Sequence, residues 1–204
     1  MSFTDRQKKA LEAKLNPAHV SKNPKGFDYL EGWFVIQEAN RIFGHDGWNR
    51  ETLEMEFLHQ PIKNEKGNTC VSYRGRVRIT IGDVVREGTG FGNGWAATET
   101  DAHESAIKEA ETDAMKRAFM TLGNPFGLAL YDKAKEGVAT PADTATAAYI
   151  ELIKVGHYET KDDAIAWFTN KDTQAEWKKN GLNKGHCDKL RAAINEQFPE
   201  QEAA

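Results

Sequence analysis

The sequence predicts an α+β protein, with an antiparallel β-β-β-α core followed by a small helical C-terminal region. Three observations support this fold class. Apolar and polar residues alternate with the period of a strand through much of residues 52–89. Small and apolar residues then recur at helical spacing over about residues 99–122. After Asp132 the sequence turns small and polar, and helix-like pieces without strand patterns follow.

Two helices are expected before the sheet. Thr4–Leu15 carries apolar residues at helical spacing, and Pro17 closes it. Tyr29–Phe43 has a longer apolar stripe, and Gly44 follows it as a stop signal. The next residues, HDGW, form a turn that leads into the sheet.

The first predicted strand is Thr52–Phe57, which alternates between apolar and polar residues. A strand places every second side chain on the same face. Thr52 is therefore expected to share a face with Glu54 and Glu56, opposite the apolar residues of the strand.

The second and third predicted strands form a hairpin. Cys70–Ile81 places apolar side chains on one face and three arginines on the other. Gly82-Asp83 is a tight turn, from which Val84 to about Thr89 returns antiparallel.

The glycine-rich stretch GTGFGNGW (Gly88–Trp95) is predicted to be a loop between the third strand and the long helix, with glycines that need positive φ. It matches neither GxGxxG nor the P-loop pattern, which argues against an ATP-driven protein. The helix covers roughly Glu99–Leu122, with Thr98 as N-cap. Alanines at i+4 spacing allow it to lie close to the sheet: Ala102, Ala106, Ala110 and Ala114.

The chain is predicted to contain one domain over residues 1–134, a linker over 135–147 and a small helical region over 148–204. The linker is small, polar and contains Pro141. Four helix-like pieces are expected beyond it: Ala148–Val155, Lys161–Thr169, Thr173–Lys179 and His186–Phe198.

The net charge of −4 is unevenly distributed. Residues 1–135 carry 19 Lys+Arg and 19 Asp+Glu, whereas residues 136–204 carry 8 and 12. The first region can therefore contain a basic groove although the whole chain is acidic.

Arg74, Arg76 and Arg78 form a row on one face of the second strand, about 6.6 Å apart. Such a row can follow the phosphates of a nucleic acid without reading its sequence. The alternative is a solvated face whose arginines pair with glutamates of the neighbouring strands, Glu54, Glu56 or Glu87.

Lys116 and Arg117 stand side by side near the end of a helix that is acidic at Glu109, Glu111 and Asp113. Cations in the last turns offset the negative end of the helix dipole, which is one explanation. The other is that the pair faces a ligand with negative charge.

No catalytic or metal-binding motif stands out. The six histidines are scattered, the two cysteines have no metal spacing, and no carboxylate pair lies in an apolar context. We expect no cofactor and no enzyme, although a metal-dependent nuclease built from dispersed acids stays open. No apolar run approaches the ~20 residues of a membrane span, and no signal peptide is visible. A cytoplasmic protein is expected, in a bacterial cytoplasm or nucleoid, or in an infected host if phage-encoded.

Several segments, in the same order along about residues 5–135, together resemble the N-terminal domain of the Rad fifty-two family of single-strand annealing proteins. The most specific is the helix-to-turn run within EAETDAMKRAFMTLGNPFG, followed by LYDK. The other similar segments are Tyr29–Trp48, Arg76–Asp83 and Gly88–Gly94. The chain is similar to small bacterial or phage-type members.

The resemblance implies an ATP-independent protein that binds single-stranded DNA in a basic groove and anneals complementary strands in recombination and repair. It also implies ring or filament homo-oligomers and no bond chemistry. The family's Lys-Arg pair matches Lys116 and Arg117, and an aromatic position of its site is His45 here. The candidate DNA contacts are Lys116, Arg117, Arg74, Arg76, Arg78 and His45, the three strand arginines being our own inference from strand phase.

The sequence departs from the family pattern at some positions. A basic residue of the second helix is Phe34 here, a later basic residue is Met120, and the region of the outer DNA site reads Trp95-Ala96-Ala97. An altered inner site keeps a second function open, the protection of single-stranded ends without strong annealing. The C-terminal region shows no resemblance; it is either a docking module for a single-strand binding protein or an exonuclease, or a packing appendage.

Overall fold

The computed structural model describes residues 3–199 and contains two compact units, divided between Val138 and Ala139. The outer ends of the predicted first and last regions, residues 1–2 and 200–204, lie outside the described residues. Among residues 3–199, no helix combines the length and the apolar character that crossing a membrane requires.

The first unit is an α+β structure, as predicted. Its helices are α1 (Asp5–Glu12), α2 (Gly32–Phe43) and α3 (Glu99–Met120). Its strands are β1 (Val20–Lys22), β2 (Asp28–Leu30), β3 (Asn49–Phe57), β4 (Ile62–Lys63), β5 (Thr69–Ile81) and β6 (Val84–Ala96). Short 3₁₀ turns cover Pro17–His19, Asn124–Phe126 and Leu128–Leu130.

Strand β5 is the centre of the main sheet. It pairs antiparallel with β6 along its full length on one side, and with β3 and the short β4 on the other. The predicted meander of three antiparallel strands is therefore confirmed. The predicted N-cap of α3 is confirmed as well, since the Thr98 side chain accepts from the Asp101 N–H at 3.2 Å.

A β-bulge in β3 changes which side chains share a face. The register shifts between Thr52 and Glu54, so that Thr52 stands opposite Val77 while Glu54 stands opposite Arg76. Thr52 therefore lies on the helix-covered face, where its hydroxyl donates to Glu111 at 2.6 Å. The prediction that Thr52 shares a face with Glu54 and Glu56 is wrong, because a bulge adds one residue and reverses the alternation beyond it.

The glycine-rich stretch is a strand, which corrects the prediction of a loop. Gly88, Gly90, Gly92 and Gly94 lie within β6, and none of them has positive φ. Each faces α3, and a Cβ added at any of them would lie less than 3.0 Å from the backbone of that helix. Glycine is needed there because the helix lies directly on the strand.

The alanines of α3 are the other half of this contact. Ala102, Ala106, Ala110, Ala114 and Ala118 are fully buried and lie over the glycines of β6. Four residues of helix rise about 6.0 Å, and two residues of strand span about 6.6 to 6.8 Å. The i+4 alanines and i+2 glycines therefore stay nearly in register over the length of the contact.

The core of the first unit lies between the inner face of the sheet, α3 and α2. Phe119, Met115 and Val35 are almost completely buried there, together with Val77 and Ile79 of β5. The hairpin of β1 and β2 was not predicted, because strands of three residues give too little alternation to recognise. A turn closes this hairpin, with Asn23 Oδ1 accepting from the N–H groups of Lys25 and Phe27.

The second unit is helical, with α4 (Pro141–Lys154), α5 (Lys161–Thr169), α6 (Lys171–Lys179) and α7 (Lys184–Gln197). Trp177 is buried in its core, and Trp167 and Phe168 pack against it. The predicted linker over 135–147 is wrong in its second half, because α4 begins at Pro141. Thr140 and Asp143 form a capping box and Pro141 occupies the first turn, where its missing N–H costs nothing.

Candidate nucleic-acid interface

Glu109, Glu111 and Asp113 of α3 accept hydrogen bonds from the edge strands of the sheet. Strand β6 is an edge strand, and its outward N–H groups need acceptors. Asn93 N–H donates to Glu109 Oε2 at 2.8 Å, and Phe91 N–H donates to Asp113 Oδ2 at 3.3 Å. Glu111, on the other side of the helix, accepts from Thr52. These carboxylates therefore attach α3 to both edge strands of the sheet, β3 and β6.

Lys116 lies beside an aromatic ring of β2. Its Nζ stands 5.5 Å from the centroid of the Tyr29 ring, a cation–π distance. The Tyr29 hydroxyl donates to Glu31 at 2.7 Å, and this hydrogen bond raises the pKa of Tyr29. Within residues 3–199, Lys116 has no carboxylate partner. Its charge is therefore available to an external anion.

Arg117 is half exposed and is held from one side. Its Nε donates to Asp113 Oδ2 at 2.9 Å, four residues earlier on the same helix. This hydrogen bond raises the pKa of the guanidinium. Arg117 is thus a cation at every physiological pH.

One cleft of about 110 Å³ collects both basic residues. Asp28 and Tyr29 border it from β2, and Tyr131 borders it from the segment after the 3₁₀ turns, with its side chain largely exposed. Asp28 does not neutralise the basic pair, because its carboxylate is paired with Lys135 and Lys22 instead. The hydrogen bonds from these two lysines lower the pKa of Asp28 to about 2. The cleft combines an uncompensated cation, an exposed guanidinium and aromatic side chains.

The arginine row lies elsewhere, on the face of the sheet that points away from α3. Each arginine is ion-paired with glutamates of neighbouring strands. Arg74 pairs with Glu56, Arg76 with Glu54 at 3.6 Å and Glu87 at 3.5 Å, and Arg78 with Glu87 at 2.7 Å. The β3 bulge brings a fourth acid, Glu51, to 3.9 Å from Arg78. This is the paired-face alternative that the sequence left open; contact of these arginines with DNA stays a prediction.

His45 lies in a third place. It borders an open cleft of about 740 Å³ along α2, together with Trp33, Phe34 and Arg41. Arg41 is held there by Glu38, with Nε and one Nη each donating to a carboxylate oxygen. The structure therefore brings Lys116 and Arg117 together, but it does not bring them together with His45 or the arginine row.

Sequence reasoning missed the acidic and tyrosine members of the basic cleft, which are Asp28, Tyr29, Asp113 and Tyr131. Tyr29 is separated from Lys116 by 87 positions, and no periodicity links β2 to α3. Asp113 could have been found from the sequence, because it stands four residues before Arg117 and side chains at this spacing on a helix contact each other. Among the described residues, no group of three or more His, Cys, Asp and Glu side chains is arranged so that it could hold a metal ion.

The first unit thus combines an antiparallel sheet, one long helix that lies on it and a basic cleft beside that helix. Residues 4–149 match the family described as "Rad52/22 family double-strand break repair protein". The chain therefore belongs to the Rad52/22 family, which confirms the resemblance found in the sequence.

Curated relatives carry names of the same kind. The DNA repair and recombination protein RAD52 of Kluyveromyces lactis is 37% identical over 132 residues, and that of Saccharomyces cerevisiae is 37% identical over 136 residues. The DNA repair and recombination protein rad22 of Schizosaccharomyces pombe is 36% identical over 132 residues. These matches cover 60%, 60% and 61% of this chain, but only 29%, 27% and 28% of the relatives. The chain thus matches less than a third of the length of each.

Proposed function

We propose that the first unit binds single-stranded DNA and anneals complementary strands without ATP and without bond chemistry, in recombination and repair. The observation that carries this proposal is Lys116, an uncompensated cation beside Arg117 in the cleft between β2 and α3. Membership of a family whose relatives are named for DNA repair and recombination supports it.

The mechanism needs only electrostatics and stacking. Lysine and arginine side chains neutralise backbone phosphates, and aromatic rings accept bases of any sequence. Holding strands extended with their charge neutralised lowers the cost of bringing two complementary strands together, and base pairing then supplies the specificity. One cleft with two cations binds weakly, so we propose a ring or filament of identical chains that multiplies the contact by avidity.

The test is annealing of two complementary labelled oligonucleotides in EDTA and without nucleotide. Wild-type protein is expected to accelerate annealing, and Lys116→Ala/Arg117→Ala is expected to lose the acceleration. Lys178→Ala/Lys179→Ala is the matched control, because it also removes an adjacent basic pair near the end of a helix, but in the second unit. It should anneal like wild type.

Other outcomes identify the other functions. Binding of labelled DNA without faster annealing would replace the proposal with protection of single-stranded ends. Loss of substrate that depends on Mg²⁺ would identify a nuclease. A failure of the wild type to bind DNA would mean that this fold serves another purpose here.

A further inference from the structure

Asp113 makes two hydrogen bonds with a single oxygen. Its Oδ2 accepts from the Phe91 N–H on the edge of β6 at 3.3 Å, and from Arg117 Nε at 2.9 Å. The Asp113 side chain is 30% exposed and that of Arg117 is 52% exposed. A carboxylate fixed to the edge of the sheet thus holds the inner side of a guanidinium whose outer side faces solvent.

The two Nη groups of Arg117 have no hydrogen-bond partner among the described residues. Among residues 3–199, the structure gives Arg117 no hydrogen bond or ion pair other than the one from Nε to Asp113. A guanidinium that is bound at Nε presents its Nη groups in a fixed plane, and these can donate to phosphate oxygens. A free arginine would have to lose rotamer freedom on binding the same group.

We infer that Asp113 is a positioning residue, which orients Arg117 towards a DNA phosphate. Asp113 does so through the oxygen that accepts from Arg117 Nε, although the negative charge of Asp113 itself repels phosphate. The inference rests on the function proposed above and assigns a role to a residue that does not touch the ligand. The negative charge weakens attraction of the cleft for phosphate, whereas the fixed geometry strengthens it. These opposite effects allow an experiment to separate them.

The experiment compares Asp113→Asn with Asp113→Ala in single-stranded DNA binding by the full-length chain, with labelled oligothymidine as the probe. Both variants remove the same charge, but asparagine keeps an oxygen that can accept from Phe91 N–H and Arg117 Nε. Asp113→Asn is expected to bind at least as tightly as wild type. Asp113→Ala is expected to bind about three- to tenfold more weakly than Asp113→Asn, the effect of about one hydrogen bond.

Glu109 provides the matched control. It accepts from Asn93 N–H at 2.8 Å on the same edge, and it has no cation partner among the described residues. Glu109→Gln and Glu109→Ala should therefore bind DNA equally, even if the alanine variant lowers the melting temperature. A difference between them as large as that at Asp113 would show that edge attachment alone affects binding, and would overturn the inference.

Arg117→Ala completes the test. In that background, Asp113→Asn and Asp113→Ala should bind equally, because the oriented group is gone; a persisting difference would overturn the inference. Arg117→Lys, which keeps the charge but cannot bind Asp113 and phosphate in one plane, should bind several-fold more weakly than wild type. If Asp113→Ala does not fold, the comparison of Arg117→Lys with wild type tests the inference instead. Equal DNA binding by these two proteins would then overturn it.

Failure of the inference is distinguishable from failure of the proposed function. Equal binding by Asp113→Asn and Asp113→Ala, with wild-type binding intact, would overturn the positioning role alone. Absence of DNA binding by wild type would overturn the proposed function and this inference with it.

Discussion

Gly92 of β6 lies against the backbone of Ala106 in α3, so closely that a Cβ at Gly92 would stand less than 3.0 Å from the Ala106 carbonyl oxygen. Three further glycines of the strand meet the helix in the same way. Neither partner can move alone, because a strand of glycines and a stripe of alanines form one continuous contact. This contact fixes the position of α3 on the sheet, and therefore the positions of Lys116 and Arg117.

Gly92→Ala should therefore destabilise the first unit strongly. The added methyl group meets helix backbone and no flexible side chain, so we expect a loss of about 3 kcal/mol or more in the free energy of unfolding. Thr89→Ala is the control, since Thr89 is exposed on the other face of the same strand. Denaturant unfolding of both variants measures the difference; equal stability would contradict the close contact.

The end of the first unit is set by pairing between its two ends. Leu15 N–H donates to the Gly137 carbonyl at 2.8 Å, and Leu15 forms a parallel bridge with Val138. A fragment that ends at Val138 should fold and bind DNA. A fragment that ends at Ala134, the boundary expected from the sequence, should melt roughly 5 °C or more lower, because it loses this hydrogen bond and the cover over buried Leu15.

Thermal unfolding of the two fragments tests this prediction. Binding of labelled single-stranded DNA by the same fragments tests the proposal that DNA binding belongs to the first unit, since both fragments lack the second unit. Loss of DNA binding by the fragment that ends at Val138, while it remains folded, would contradict this division between the units.

Asp28 makes the stability of the cleft depend on pH. Because hydrogen bonds from Lys135 and Lys22 lower its folded pKa from 3.8 to about 2, its contribution to stability is fully present above pH 3.8. This contribution is lost as the pH falls through about 2. The melting temperatures of wild type and Asp28→Asn should therefore differ at pH 6 and converge towards pH 2. A difference that stays constant over this range would contradict the assignment.

Salt dependence should separate the cleft from the arginine row. Lys116→Gln and Arg76→Gln remove the same charge, but Lys116 is uncompensated whereas Arg76 is paired with Glu54 and Glu87. Each phosphate contact contributes about 0.7 to the slope of log K against log salt for single-stranded DNA. We expect Lys116→Gln to reduce the slope by about that amount and Arg76→Gln to change it little.

Binding titrations over a range of salt concentrations measure both slopes. An equal reduction for Arg76→Gln would show that phosphates displace the glutamates, and would support the original prediction that Arg74, Arg76 and Arg78 contact DNA. A large loss for Arg76→Gln alone would place the DNA on the other face of the sheet.

The fold class, the antiparallel meander, the long helix and its N-cap could all be predicted from the sequence, because these follow from local periodicity and capping. The alternation of β5 was sufficient to place its arginines on one face. The Lys-Arg pair and the family were also recognisable from the sequence, since a short motif in one helix carries both.

The surroundings of those residues could not be predicted, because they depend on contacts between distant segments of the chain. The glycines of β6 looked like a loop because the reason for them, a helix lying on the strand, is a contact between distant segments. The bulge at Leu53 could not be predicted from the alternation of apolar and polar residues, yet it places Glu51 on the same face of the sheet as the arginines. Asp28 and Tyr29 meet the basic pair only because β2 packs beside α3. Local pattern fixes which elements form, whereas the neutralisation or exposure of a charge depends on residues far away in the chain.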